Sequence, residues 1–248
     1  MRSPWLHIAA PRPRASLRLF CFPYSGGGAA IYHTWGELLP PEIELCAVRL
    51  PGREGRYAEP PLRRLDALLP LLLDGLLPSM ERRFAFFGHS LGALIAFELT
   101  RSLRRAQREL PAHLFVSGRR APDAAERRPG EAPLHTLPDA ELIGELRQLE
   151  GTPDEVLATP ELLELVLPTI RADFELGETY AYRAEPPLGC PITAMGGDAD
   201  VDVTPEDLAR WRAHTAGPFA KAVLPGGHFF LHTQHRELLA AMSVALKG

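Results

Sequence analysis

Hydrophobic residues along the chain form short continuous runs that alternate with longer segments of helical periodicity. The runs predict strands at residues 17–22, 43–48, 84–87, 113–117, 191–195 and 220–224. The periodic segments predict helices at residues 31–39, 62–77, 91–105, 204–214 and 233–246. This alternation indicates an α/β protein with a mostly parallel central sheet flanked by helices.

Proline marks where this pattern should bend or give way. Pro70 is expected to kink or split the helix at residues 62–77, because its ring clashes with the preceding turn. Residues 1–16 are rich in Pro and Arg and are predicted to be an irregular lead-in.

The alternation stops between residues 118 and 186. An irregular stretch at residues 118–138 precedes three helical segments at residues 139–149, 154–157 and 161–182, and prolines stand just before each helix start. This block predicts a helical lid inserted into a single domain that spans residues 1–248. A structural subdomain without a gating role is the alternative.

Composition excludes several classes of function. The net charge of −4 over 248 residues gives no nucleic-acid signature. The leucine-rich residues 62–77 are interrupted by Asp66, Pro70 and Asp74, which argues against a membrane span, and residues 1–10 lack the apolar core of a signal peptide. Three widely spaced cysteines are typical of buried free thiols, so we expect a cytoplasmic protein.

The candidate nucleophile is Ser90, within Gly88-His89-Ser90-Leu91-Gly92. A predicted strand precedes this motif and a predicted helix follows it, which is the layout of a nucleophile elbow. Glycines two positions before and after the serine let the strand and the helix approach closely.

A serine nucleophile needs a general base and an acid that orients it. His228 follows the last predicted strand and is the favoured base, with a structural role as the alternative. The acid is expected after the strand at residues 191–195, where Asp200 is favoured over Asp198 and Asp202.

The remaining histidines fit the role of base less well. His89 adjoins the nucleophile, and its side chain is expected to point away from that of Ser90. His228 and His232 have the spacing of a metal pair, but no Asp or Glu stands beside them. We therefore predict no metal site and no cofactor.

A glycine-rich loop, Ser25 to Gly28, follows the first predicted strand. A phosphate-binding loop would require Lys and Ser or Thr after the glycines, but Ala29 and Ala30 stand there. An oxyanion loop fits better, with the backbone N–H groups of Ser25 and Leu91 as the predicted donors. A plain flexible turn is the alternative.

Five motifs together carry a family resemblance: FPYSGGGA, RLPGREGR, GHSLGALIAFEL, GGDAD and PGGHFFL. In this order and spacing the sequence resembles the type II thioesterases that accompany polyketide synthases and nonribosomal peptide synthetases, from about residue 17 to 246. One departure lies in the first motif, where many relatives carry histidine and alanine in place of Tyr24 and Ser25. Little functional consequence is expected, because the donor there is a main-chain N–H.

The resemblance implies an α/β-hydrolase fold and hydrolysis of acyl groups from the phosphopantetheine arm of acyl or peptidyl carrier proteins. Ser90, Asp200 and His228 would be its catalytic residues. A monomer that binds neither nucleic acid nor membrane is expected. Arg53, Arg56, Arg119 and Arg120 are candidates for a rim that meets the acidic carrier, or else a solvated surface. A carboxylesterase or lipase with the same triad is the rival enzyme, and a non-catalytic carrier-binding scaffold is the rival of another class.

Overall fold

Seven strands form one sheet in the computed structural model, which describes residues 3–124, 132–149 and 151–247. The strands are β1 (Leu6–His7), β2 (Leu17–Phe22), β3 (Ile43–Val48), β4 (Phe84–His89), β5 (Leu114–Ser117), β6 (Ile192–Gly197) and β7 (Phe219–Leu224). Their order is β1-β3-β2-β4-β5-β6-β7. Only β1 pairs antiparallel among these described strands, so the predicted mostly parallel sheet is confirmed.

The N-terminal segment is more ordered than predicted. Leu6 and His7 of β1 pair with Val48 and Ala47 at the edge of the sheet, where an irregular lead-in was expected. The guanidinium of Arg12 then donates hydrogen bonds to four backbone carbonyls, those of Gly36, Leu39, Pro40 and Ile43. The arginines of this segment gave it a polar composition, but Arg12 binds main chain instead of solvent.

The helices correct several predicted boundaries. They are α1 (Trp35–Leu38), α2 (Leu65–Leu76), α3 (Leu91–Arg105), α4 (Asp139–Leu149), α5 (Asp154–Ala158), α6 (Pro160–Glu178), α7 (Pro205–Ala209), α8 (Phe230–Thr233) and α9 (His235–Leu246). The first predicted helix is a 3₁₀ turn, Ala29–Tyr32, followed by α1. The second part of the predicted helix at residues 204–214 is also 3₁₀, and the last predicted helix is divided at Gln234.

Pro70 does not split its helix, which was one of the two outcomes predicted for it. α2 runs unbroken through Pro70, and its buried leucines, among them Leu68, Leu72 and Leu76, pack into the core. Proline removes one backbone donor from a helix. Burial of a leucine side chain contributes about 1.5–3 kcal/mol, so the packing of α2 outweighs that loss.

Side chains of the strands alternate between two apolar cores. Phe20 and Phe22 of β2 and Phe84 and Phe86 of β4 pack on the face covered by α2 and α3. Leu19, Cys21, Ala85 and Phe87 lie on the other face, with Leu238, Leu239 and Met242 of α9. The period of two along each strand places successive residues on opposite faces, so both faces of the sheet are covered.

The helices α4, α5 and α6 lie in the chain between β5 and β6, where the insertion was predicted. They share a small core of their own, which contains Leu142, Leu146, Leu157, Leu163, Leu167 and Ile170. Part of the predicted irregular stretch, residues 125–131, lies outside the described residues. Within the part of the chain that the structure describes, no helix is long and apolar enough to cross a membrane.

Candidate active site

The predicted catalytic residues and Ser25 lie on loops at one edge of the sheet. Because β2, β4, β6 and β7 are parallel, the loops that follow them emerge at the same edge. Ser25 follows β2, Ser90 follows β4, Asp200 follows β6 and His228 follows β7. The chain turns outward from β2 to β3 and then returns to β4, so this edge contains a topological switch point, the usual position of a ligand crevice in open α/β sheets.

Ser90 occupies a strained backbone position between β4 and α3. Its φ of 52° and ψ of −113° lie in a region that L-residues rarely adopt. A Cβ at Gly88 would overlap the carbonyl of Gly92, and a Cβ at Gly92 would overlap the carbonyl of Phe22. The two glycines therefore allow the close approach of strand and helix that holds the serine at the tip of the turn.

His89 points into the protein. Its side chain is fully buried, and its Nδ1 lies 3.0 Å from the hydroxyl of Ser117 on the neighbouring strand. Burial lowers the pKa of His89 well below the usual value, so its ring is neutral. The His89 ring also lies beside that of His228, with 5.1 Å between centroids, which places His228 against the elbow.

The structure brings His228 and Asp200 together. Nδ1 of His228 lies 2.8 Å from Oδ2 of Asp200, and the Asp200 side chain is fully buried. The other oxygen, Oδ1, accepts backbone N–H bonds from Asp202 at 2.8 Å and Val203 at 3.1 Å. A carboxylate fixed in this way holds the imidazole proton on Nδ1 and leaves Nε2 free to act as a base.

Hydrogen bonding keeps Asp200 ionised. Burial by itself raises its pKa, but the hydrogen bond and charge of His228 and the two backbone donors lower it by more. The pKa of Asp200 therefore lies below its ordinary value. At neutral pH the site contains a carboxylate that can stabilise an imidazolium on His228.

Asp198, the strongest alternative for the acid, forms hydrogen bonds with the segment that follows β7. It is exposed, and its Oδ1 accepts a hydrogen bond from the backbone N–H of Gly226 at 2.9 Å. Asp198 N in turn donates to the carbonyl of Leu224 at 2.8 Å. These contacts join the loop after β6 to the loop after β7, and they orient the segment that carries His228.

The two predicted oxyanion donors follow neighbouring strands, Ser25 after β2 and Leu91 at the start of α3 after β4. Leu91 is the first residue of α3, so its N–H has no acceptor within the helix. Within the described part of the chain, no residue accepts a hydrogen bond from the N–H of Leu91 or of Ser25. Both groups are therefore available for a developing negative charge near Ser90.

Comparison with known proteins decides which family this site belongs to. The thioesterase domain family matches residues 17–245. The chain belongs to the thioesterase family. The resemblance stated from the five motifs is confirmed, and so are the α/β-hydrolase fold and the prediction that the protein is a thioesterase.

The similarity extends over nearly the whole length of this thioesterase. It is 45% identical to "Linear gramicidin dehydrogenase LgrE" of Brevibacillus parabrevis, over 99% of this chain and 94% of the relative. It is 41% identical to "Thioesterase PikA5" of Streptomyces venezuelae, over 94% of this chain and 82% of the relative. The solved structure of the type II thioesterase BorB, from the borrelidin biosynthetic cluster, has a TM-score of 0.88 and 39% identity, with 98% of this chain and 97% of that chain covered.

Two of the four arginines predicted to form a rim of the thioesterase are buried, and that prediction is corrected. Arg53 pairs with Asp173, and Arg56 pairs with Glu59 and stacks over the ring of Trp5 at 3.9 Å. Arg119 and Arg120 are half-buried, and Arg120 pairs with Asp207 at 3.2 Å. The sequence shows that Arg53 and Arg56 lie in a charged loop, but it contains no signal that they are buried.

An aromatic cluster behind His228 was also missed from the sequence. The hydroxyl of Tyr24 lies 3.0 Å from Nε2 of His232, and the Tyr24 ring packs against Phe229 at 4.9 Å. Burial raises the pKa of Tyr24 to about 12, so the phenol stays protonated and shares a hydrogen bond with Nε2 of His232. Among the described residues, no group of three or more His, Cys, Asp and Glu side chains is arranged to hold a metal ion.

Proposed function

We propose that this thioesterase hydrolyses acyl thioesters on the phosphopantetheine arm of a carrier protein, through a Ser90–His228–Asp200 triad. The observation that carries the proposal is the strained Ser90 elbow, with an Asp200-paired imidazole held against it. Relatives named for gramicidin synthesis and for the borrelidin cluster support an editing role in polyketide or nonribosomal peptide biosynthesis, where stalled or wrongly primed acyl groups must be removed.

The reaction has two halves. Ser90 Oγ attacks the thioester carbonyl carbon while His228 Nε2 takes the hydroxyl proton, and the carbonyl oxygen becomes an oxyanion bound by the N–H groups of Ser25 and Leu91. The C–S bond then breaks and the proton on His228 leaves with the thiol. In the second half water loses its proton to His228 and attacks the acyl-serine carbonyl; the C–Oγ bond then breaks, and the proton passes from His228 to Ser90 Oγ as the carboxylic acid is released.

Asp200 contributes to both halves without changing its own protonation. Its hydrogen bond to Nδ1 keeps the base in the required tautomer, and its charge stabilises the imidazolium that forms twice in each cycle. The thiol leaving group has a pKa of about 8.5, so it needs less protonation than an alkoxide would. The second half, with water as nucleophile, therefore requires more help from His228 than the first.

The insertion provides a wall for the acyl chain in this proposal. α6 lies directly over the glycine loop, where Ile170 approaches Gly26. We propose that α4 to α6, within the predicted lid at residues 118–186 of a single domain, select which acyl groups fit. A monomer in the cytoplasm is part of the same proposal, and three free buried cysteines support that compartment.

The dehydrogenase name of the gramicidin relative is not carried over to this chain. A dinucleotide loop of the form G-x-G-x-x-G or G-x-G-x-x-A places glycine or alanine at its last position. Gly26 and Gly28 supply the first two glycines here, but the last position is Ile31. The sequence of this loop thus favours an oxyanion loop over nicotinamide binding.

Comparison of two substrate classes tests the proposal. Initial rates with an acyl carrier protein that bears short acyl-phosphopantetheine thioesters are compared with rates for aryl oxyesters of the same acyl groups. A higher kcat/KM for the carrier thioester is expected. A preference for the oxyester by a large factor would instead identify a carboxylesterase, and carrier binding without turnover of either substrate would identify a scaffold.

A further inference from the structure

A buried ion pair joins the insertion to the loop after β3. Arg53 and Asp173 are 8% and 1% exposed, and their contact is bidentate: the two terminal nitrogens of Arg53 lie 2.8 and 2.7 Å from the two carboxylate oxygens. Arg53 belongs to the RLPGREGR motif, and Asp173 lies on α6. The pair therefore connects segments that are 120 residues apart in the chain.

Both partners also bind the glycine loop. Oδ2 of Asp173 accepts the backbone N–H of Gly26 at 2.7 Å, and Nη1 of Arg53 donates to the carbonyl of Gly27 at 2.8 Å. Gly26 directly follows Ser25, and its φ of +76° gives the turn a left-handed residue. The two charged groups thus bind the Ser25–Gly26 and Gly27–Gly28 peptides, directly after the predicted oxyanion donor.

Neighbouring contacts reinforce this arrangement. Thr169, one turn before Asp173 on α6, donates its hydroxyl to the carbonyl of Gly52 at 2.8 Å. Glu54, beside Arg53 in the motif, accepts the backbone N–H of Ala30 at 2.9 Å. Thr169 thus joins α6 to the motif loop, and Glu54 joins the motif loop to the residues just after the glycine loop.

Stability alone does not account for a pair of this kind. Burying two charges costs several kcal/mol per ion, and apolar residues of similar volume often give equal or greater stability. A carboxylate that accepts a backbone N–H does fix the direction of that peptide, since charge-assisted hydrogen bonds are short and strong. A buried pair is therefore suited to keeping a catalytic loop in one conformation.

We infer that Arg53 and Asp173 are positioning residues, which hold the Ser25 N–H at the place where the oxyanion forms. The inference rests on the proposed function, because it assigns the pair to the oxyanion loop of that reaction. α6 is then an anchored wall of the active site at this point, and the RLPGREGR motif stabilises the transition state indirectly instead of docking a carrier.

Asp173→Asn tests the inference, with Glu44→Gln as the matched control. Glu44 is also a buried carboxylate that accepts from an arginine, Arg18 Nε at 2.7 Å, and from a backbone N–H, that of Arg12 at 2.7 Å. Glu44 lies near the start of β3, whereas the candidate site lies at the edge where the parallel strands end. Each variant removes one buried negative charge without changing side-chain volume.

Steady-state kinetics with a short acyl thioester give the first measurement. The kcat of Asp173→Asn is expected to fall about tenfold to a hundredfold, because a small displacement of a catalytic group is enough to cause such losses. KM should change less than about twofold, since the loss is confined to the transition state. Glu44→Gln should retain kcat, even if its melting temperature falls.

Affinity for an acyl trifluoromethyl ketone gives the second measurement. Ser90 Oγ adds to its carbonyl carbon, the hydroxyl proton passes to His228, and the product carries an oxyanion that needs both N–H donors. Binding by Asp173→Asn should weaken by the same factor as its kcat, and binding by Glu44→Gln should not change. The wild type could hydrolyse no carrier thioester while the three proteins still differ in ketone affinity as predicted. This result would refute the proposed substrate and support the positioning role.

Three outcomes would overturn the inference. One is a folded Asp173→Asn variant with kcat and ketone affinity within about twofold of the wild type. Another is an equal loss in Glu44→Gln. Where Asp173→Asn does not fold, Arg53→Lys replaces it, because its single ammonium cannot bind both Asp173 oxygens and Gly27. The third outcome is that neither Asp173→Asn nor Arg53→Lys folds, which would show that the pair is structural.

Discussion

At the scale of single residues, the geometry of the site depends on positions where a side chain cannot be accommodated. Gly92→Ala places a methyl group against the carbonyl of Phe22, so we expect a lower melting temperature and loss of thioesterase activity. Gly144, inside α4, has no atom within 4 Å of its missing Cβ. Gly144→Ala should therefore stabilise the protein, by about 0.4–1 kcal/mol. Equal melting temperatures for the two variants would contradict the close-packed elbow.

The two aspartates after β6 have different predicted roles, and substitution separates them. Asp200→Asn leaves His228 with the wrong tautomer, and kcat should fall by about 10⁴, the size of effect expected for the acid of such a triad. Asp198→Asn keeps an oxygen that accepts the N–H of Gly226, so a much smaller loss is expected. Kinetics of both variants on one thioester provide the comparison. A larger loss in Asp198→Asn would reassign the acid.

The sequence predicted residues whose requirements are local. The glycines around Ser90 could be identified because a strained turn between strand and helix needs them within five positions. The choice between Asp198 and Asp200 was less certain from the sequence, because both follow the same strand. Only their contacts with Gly226 and His228 distinguish them. The burial of Arg53 could not be predicted from the sequence, because its partner Asp173 lies on a helix far along the chain.

At the scale of elements, the chain that leaves α6 is joined to α3 by charge. Glu185 pairs with Arg101, Arg104 and Arg105, all on α3. Burial by itself raises the pKa of Glu185, but hydrogen bonds from the three arginines lower it by more, to about 2. Its contribution to stability is therefore present above the usual glutamate pKa of about 4.3, and it is lost as pH falls from there toward 2.

Glu185→Gln is expected to lower the melting temperature at pH 7. The difference from the wild type should shrink as the pH falls below about 4.3, because the wild-type carboxylate then approaches its own protonation. Thermal melts between pH 3 and pH 7 measure this difference, with exposed Glu109→Gln as the control. A difference that stays constant over this range would show that the arginine pairs do not stabilise the junction.

Sequence periodicity located the elements well but their ends less well. The central strands β3 and β4 were identified because they are mostly apolar runs buried on both faces. The helix does not split at Pro70, because local propensity is outweighed by the packing of α2 against the core, a contribution that a sequence window does not contain. β1 was missed because two residues at a sheet edge carry almost no periodic signal.

At the scale of the whole molecule, the parallel sheet brings together residues from loops along most of the chain. The glycine loop, the elbow and the His228–Asp200 pair meet at one edge, and α6 is anchored above the first of these through Arg53 and Asp173. This arrangement supports the proposed Ser90 thioesterase mechanism, in which α4 to α6 form a wall for the acyl chain. Its central claim is that Ser90 carries the acyl group between a carrier thiol and water.

Intact-mass spectrometry of an acylated carrier protein tests this claim most directly. The carrier is incubated with wild-type protein, with Ser90→Ala, and without either. We predict that the wild type removes the acyl mass and leaves the free phosphopantetheine thiol, while Ser90→Ala leaves the acyl carrier as stable as in buffer. Removal of the acyl group by Ser90→Ala at the wild-type rate would contradict the account.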